Sequence, residues 1–270
     1  MNNKIQSFLN QVTIVDTETT GIETDSSEIV EIASGTYINN NWSVDEQLLG
    51  TVKPIPPEAS AIHFISNRMV RGLPNFSQQL DRVAEILNLG KTSYFVAHNA
   101  DFDRQMIVRA YEKSFESNDQ VSFIKNKNNW ICTWRLAKAV LGIDYERQQY
   151  GLSYLRYSLN LDVPDDLPAH RAAADVLTCC KLLEKLIDLA YENHFIRDND
   201  DIGEKLVSLC WNPVQVNTWP LGKHKGKKLD DIPTDYYVWA LDNLDLFNES
   251  SANYNMDLAD SVANVLENRL

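Results

Sequence analysis

The stretch VTIVDTETTG, residues 12–21, decides how this chain reads. Val12, Ile14 and Val15 make a buried β-strand, and Gly21 closes it in a turn. At the strand's end stand Asp16 and Glu18. Side chains two apart on a strand share a face, so the two carboxylates project together, with Thr17 opposite. Two like charges on an otherwise apolar strand need a cation or a solvent-facing site. A solvated strand end would by itself explain the pair, so its meaning depends on what else the chain supplies.

Two further stretches supply more acid. VAHNADFDR (96–104) runs from a strand end through His98 and Asn99 into a helix carrying Asp101 and Asp103. Acids at a helix N-terminus are favoured, and Asp101 fits the N-cap role, which leaves Asp103 over. HRAAADVL (170–177) sets His170 five residues before Asp175. Asp175 lies between Ala172 and Cys179 at helical steps, so it borders the apolar stripe of a helix and needs a partner. Four carboxylates and a histidine, all at element ends, form a far more specific pattern than any one of the three.

The remaining sequence gives the setting. Strands are expected over 12–16, 28–38, 47–53 and 94–98. Helices are expected over 77–87, 103–113, 133–141, 151–161 and about 170–193. Early strands followed by mixed strands and helices imply a three-layer α/β domain over 1–195. An acidic break, IRDNDD (196–201), opens a linker and short helix over 196–217, and residues 218–270 read as a small C-terminal module. The 270 residues are 44% hydrophobic and 23% charged, which suits a folded globular chain. No apolar run reaches the roughly 20 residues of a membrane span, and the N-terminus lacks a secretory pattern. Cys132, Cys179, Cys180 and Cys210 match no zinc spacing and read as reduced thiols, so a cytoplasmic location is expected.

Net charge is −13, which argues against gripping nucleic acid mainly by bulk charge. Residues 198–270 hold 13 acids and 6 bases, a net of −7. Four of those six bases, Lys223, Lys225, Lys227 and Lys228, crowd one loop between Gly222 and Gly226 and beyond. A solvated turn would account for them, and so would contact with DNA phosphates.

In this order, D-x-E (Asp16, Glu18), H-N-x-x-F-D (His98 to Asp103) and H-x4-D (His170 to Asp175) resemble the DEDDh 3′→5′ exonucleases, which have a ribonuclease H-like fold. The segments AIHFISNRMV (61–70), WICTWRLAKAVL (130–141) and the late LGKHKGKKL are similar to a bacterial exodeoxyribonuclease branch of that family. The polar stretch 114–129, expected to be looped, and the acidic linker depart from it.

The resemblance implies an enzyme that releases nucleoside 5′-monophosphates from DNA 3′ ends, single-stranded or frayed. It implies two Mg²⁺ or Mn²⁺ ions held by Asp16, Glu18, Asp103 and Asp175. His170 would be the general base, a task suited to imidazole because its ordinary pKa lies near neutrality. Thr19, Thr20, Gly21, Ile62 and His63 would seat the terminal nucleotide, with Asn99 and Phe102 close by. Three other readings stay open: an RNA-trimming exonuclease, a polymerase proofreading subunit, and an inactive nucleic-acid-binding module. No membrane partner is expected, and homodimerisation is left open.

Overall fold

The computed structural model describes residues 3–114, 119–143, 149–167 and 169–269. In chain order these form α1 (Asn3–Leu9), β1 (Val12–Thr19), β2 (Ile29–Ile38), β3 (Asn41–Leu48), α2 (Pro57–His63), α3 (Asn67–Val70), α4 (Leu80–Ile86), β4 (Tyr94–Ala97) and α5 (Ala100–Ser114). There follow α6 (Asp119–Lys125), β5 (Trp130–Cys132), α7 (Thr133–Leu141), α8 (Leu152–Ser158), α9 (Ala172–Glu192), α10 (Ile202–Trp211), α11 (Thr234–Asn243) and α12 (Met256–Glu267).

The strands make one mixed sheet in the order β3-β2-β1-β4-β5. β1 runs antiparallel to β2 and parallel to β4, so the acid-bearing strand is central and both its edges are paired. Ile14, Val15, Val30, Ile32, Val96 and Ile131 are fully or almost fully buried. α9 packs on β1, β2 and β3, while α5 packs on β1, β4 and β5, completing the three-layer α/β architecture. The approach of α9 is very close at Gly35 on β2. A Cβ there would lie 2.8 Å from Cys180 Sγ and 2.9 Å from Val176 Cγ1. Any side chain at Gly35 would push α9 off the sheet, and with it the acid at its start.

Some elements differ from the sequence expectation. The third strand occupies Asn41–Leu48 rather than 47–53, where only Gly50 makes an isolated bridge. It is an edge strand whose residues are largely exposed, so it lacks the apolar pattern of a buried strand. Part of the stretch 114–129, expected to be looped, is helical: α6 covers Asp119–Lys125, buries Val121 and Ile124, and leads into β5. Residues 115–118 lie outside the described residues. α5 begins at Ala100, so Asp101 sits inside its first turn rather than at the cap. Asp101 pairs there with Arg104 at 3.0 Å and Lys127 at 3.3 Å.

Packing divides the chain into two units, Met1–Leu136 with Gly151–Cys210, and Ala137–Tyr150 with Trp211–Leu270. The expected boundaries at 195 and 218 thus differ from the packing: most of α10 goes with the first unit. Its Cys210 thiol accepts from the Cys132 N–H and donates to the Cys132 carbonyl, both at 3.3 Å, which ties α10 to β5. The second unit has its own core of Trp219, Leu229, Ile232, Tyr237, Leu258 and Val262.

Candidate active site

Asp16 and Glu18 lie on β1, and Asp175 lies one turn into α9. One carboxylate oxygen from each falls within 4.8 Å of the others. Three partly buried acids in that space repel one another and share a poor solvent. Burial, then the charges of Asp103, Asp175, Glu18 and Glu31, pushes the Asp16 carboxyl well above its usual range. Burial and the neighbouring Asp175 and Glu31 push Glu18 up to about 8. Burial also raises Asp175, opposed by His170.

The fourth expected acid is placed differently. Asp103, on α5, is buried and accepts two hydrogen bonds at its Oδ1, from the Thr17 N–H at 2.9 Å and the Thr17 hydroxyl at 2.8 Å. Burial raises it to about 7, with the Thr17 hydrogen bonds working the other way. Asp103 therefore stands outside the three-acid group but near enough for its charge to act on Asp16 and Glu18. Thr17, the residue between the two strand acids, is what fixes it there.

His170 is exposed and takes a left-handed backbone, φ 60°. Its N–H donates to Asp175 Oδ2 at 3.0 Å, which closes the six-residue H-x4-D segment on itself. Asp16, His98, His170 and Asp175 line one cleft of about 320 Å³ with Gly151 and Tyr154. His98 also meets the Thr133 hydroxyl through Nδ1 at 3.0 Å.

Two residues here escaped the sequence reading. Glu31, on β2, is cross-strand from Glu18 and 1% exposed. It accepts Arg171 Nη2 at 2.7 Å, Arg171 Nε at 3.2 Å and the Ala172 N–H at 2.9 Å. Glu31 thereby satisfies an orphan donor at the start of α9, where Arg171 itself makes no side-chain cap. A glutamate on a strand and an arginine beside a histidine carry no such signal in sequence.

The expected nucleotide-binding residues fall into two groups. The β1–β2 register shifts between Glu18 and Thr19, and the Thr19 hydroxyl donates to the Gly21 carbonyl at 2.7 Å. Thr20 exchanges hydrogen bonds with Glu28, so the turn is pinned to β2. His63 ends α2 and is buried; its Nδ1 accepts from the Ile65 N–H at 3.0 Å. Burial lowers His63, against the neighbouring Thr19 backbone and Glu31, so α2 brings His63 to the end of β1. Ile62 beside it is 55% exposed, an apolar side chain open to solvent. Asn99 sits in the turn before α5 with φ 67°, and Phe102 is half-buried on the first turn of that helix. Lys223, Lys225, Lys227 and Lys228 are exposed on the second unit.

Residues 13–183 match the exonuclease family model RNase_T. The chain is 29% identical to Exodeoxyribonuclease 10 of Escherichia coli (strain K12) over 237 residues, 86% of this chain and 91% of that protein. It is 30% identical over 183 residues to the 3′-5′ exonuclease DinG of Staphylococcus epidermidis (strain ATCC 35984 / DSM 28319 / BCRC 17069 / CCUG 31568 / BM 3577 / RP62A), 67% of this chain but 18% of that protein. Among solved structures, exonuclease X in complex with 5′ overhanging duplex DNA superposes with a TM-score of 0.52 at 27% identity, covering 74% of this chain and 99% of that one.

Proposed function

The chain belongs to the RNase_T family of exonucleases, and from that membership we propose that it removes nucleotides one at a time from the 3′ ends of DNA. The observation that carries the reading is the meeting of Asp16, Glu18 and Asp175 within 4.8 Å, with Asp103 held beside them by Thr17. A relative named for exodeoxyribonuclease activity spans almost the whole chain, which favours DNA as substrate.

The donor set fits hard divalent cations. It consists of carboxylates alone, and their raised proton affinities express a repulsion that a cation would relieve. Asp16, Glu18 and Asp175 would hold Mg²⁺ or Mn²⁺, and Asp103 would serve a second such ion. Bound there, the ions supply charge neutralisation at the scissile phosphate and make an attacking water more acidic. The rest falls to the chain itself. His170, in the cleft with Asp16 and Asp175, accepts the water's proton on a ring nitrogen. The Glu31–Arg171 pair and the His170–Asp175 hydrogen bond hold that imidazole and that acid in register. The pinned turn Thr19–Thr20–Gly21, with Ile62, His63, Asn99 and Phe102, forms the seat for the terminal nucleotide.

Incubating the protein with Mg²⁺ and matched DNA and RNA oligonucleotides tests the reading. Release of deoxynucleoside 5′-monophosphates, lost on adding a chelator and in Asp16→Asn, is the expected result. Preferential trimming of RNA would replace the proposed substrate, and no hydrolysis of either would end the proposal.

A further inference from the structure

The second unit carries a cleft that the active-site chemistry does not use. It measures about 650 Å³, within the range of ligand sites, and is lined by Lys223, His224, Asp235, Tyr236, Trp239 and Leu244 among others. Lys223 Nζ lies 4.9 Å from the centre of the Tyr236 ring. The His224 ring meets Tyr236 edge-on at 4.4 Å, and Tyr236 lies 5.4 Å from Trp239 along α11. Trp239 is 48% exposed, a large aromatic face open to solvent. His224 is the reverse: 9% exposed, with neither ring nitrogen meeting a hydrogen-bond partner among the described residues. Leaving buried polar atoms unpaired is costly, so this imidazole would gain from any side-chain adjustment that let a polar group reach it.

We propose that this cleft binds a nucleotide of single-stranded DNA, its base stacked on Trp239 and its phosphate on Lys223. Charge selects the occupant. Residues 211–270 hold nine acids and five bases, and four of those bases, Lys223, Lys225, Lys227 and Lys228, are exposed and gathered on the loop that forms one side of the cleft. An isolated positive loop beside an exposed indole matches a ligand that alternates phosphates with flat apolar faces. Single-strand binding sites pair basic grooves with aromatic platforms for that reason. Holding Lys223 over the Tyr236 ring keeps its charge at the cleft rather than free in solvent. Asp235 also lines the cleft and would repel a phosphate placed against it, which favours a backbone seat at Lys223.

The proposal takes DNA as the substrate, so binding and hydrolysis are measured separately on the full chain. With a chelator present to stop hydrolysis, anisotropy of a labelled thirty-nucleotide oligo-dT reports binding. Trp239→Ala should weaken it about tenfold and Trp239→Phe much less. Lys223→Ala should weaken it and reduce the salt slope by about 0.7. Each variant should degrade a trinucleotide at the wild-type rate. If both alanine variants keep wild-type affinity and salt slope, the cleft does not hold DNA; if the same variants then lose a protein partner or self-association, it is a protein surface. A wild-type protein that binds the oligonucleotide through Trp239 but never hydrolyses it would overturn the nuclease reading and leave this one standing.

Discussion

Glu31 and Arg171 stand 140 residues apart in sequence and meet fork to fork, with Nη2 2.7 Å from Oε1 and Nε 3.2 Å from Oε2. The pair joins the strand next to β1 to the residue between His170 and the first turn of α9. It therefore sets the distance between the β1 acids and Asp175, and the direction from which His170 enters the cleft.

Breaking that pair should cost both stability and turnover. Arg171→Ala leaves Glu31 buried with only the Ala172 N–H. The expected loss is about 2 kcal/mol, less than a fully buried pair because Arg171 is partly exposed. Arg171→Lys keeps the charge but not the fork, and should recover stability only in part. Thermal unfolding checks the first effect, and kcat on single-stranded DNA the second. Wild-type values for both in Arg171→Ala would remove the pair's positioning role.

Removing any one acid should abolish most hydrolysis without unfolding the protein. Asp16→Asn, Glu18→Gln, Asp103→Asn and Asp175→Asn each delete a charge from a cluster that repels itself. In chelator their melting temperatures should equal or exceed that of the wild type. A correctly folded variant with near wild-type turnover in Mg²⁺ would free that residue from its assigned role.

The same repulsion sets a pH dependence. In the folded protein Glu18 is raised from 4.5 to about 8 and Asp103 from 3.8 to about 7. A raised carboxyl binds protons more tightly folded than unfolded, so its contribution is fully present below the unfolded value and lost as pH rises through the folded one. Metal-free protein should therefore lose stability from about pH 4.5 to about pH 8. Mg²⁺ should oppose the loss, and Asp16→Asn should flatten it. Melting curves taken across that range with and without Mg²⁺ decide it; a metal-free stability that climbs through the window would contradict the electrostatic account of the site.

His170→Ala should lower kcat by about 10²- to 10⁴-fold while changing KM little, as expected for loss of proton transfer. Single-turnover rates on prebound DNA isolate the chemical step. A variant that binds poorly yet hydrolyses bound DNA normally would make His170 a binding residue.

The residues that sequence made legible are those whose meaning is local. Asp16 and Glu18 share a face because a strand alternates, and Asp175 borders α9's apolar stripe because a helix repeats every 3.6 residues. Pairings across the fold left no such trace. Thr17 fixes Asp103 from 86 residues away, and Glu31 anchors Arg171 from the middle of an apolar strand. The expected third strand is displaced because an exposed edge strand carries polar residues, whereas Leu48 at its end and Leu49 and Val52 just beyond it look more strand-like. β5 has only the three residues Trp130–Cys132, too few for a period to register.

Polarity of attack tests the central claim most directly. A single-stranded DNA oligonucleotide labelled at its 5′ end, and the same strand labelled at its 3′ end, are each digested with Mg²⁺ and sampled over time. A carboxylate site that works inward from the 3′ terminus gives a ladder of shortening 5′-labelled strands, and releases the 3′ label at once as a mononucleotide. Early release of the 5′ label as a mononucleotide, or internal cuts that leave long labelled fragments at both ends, would contradict it.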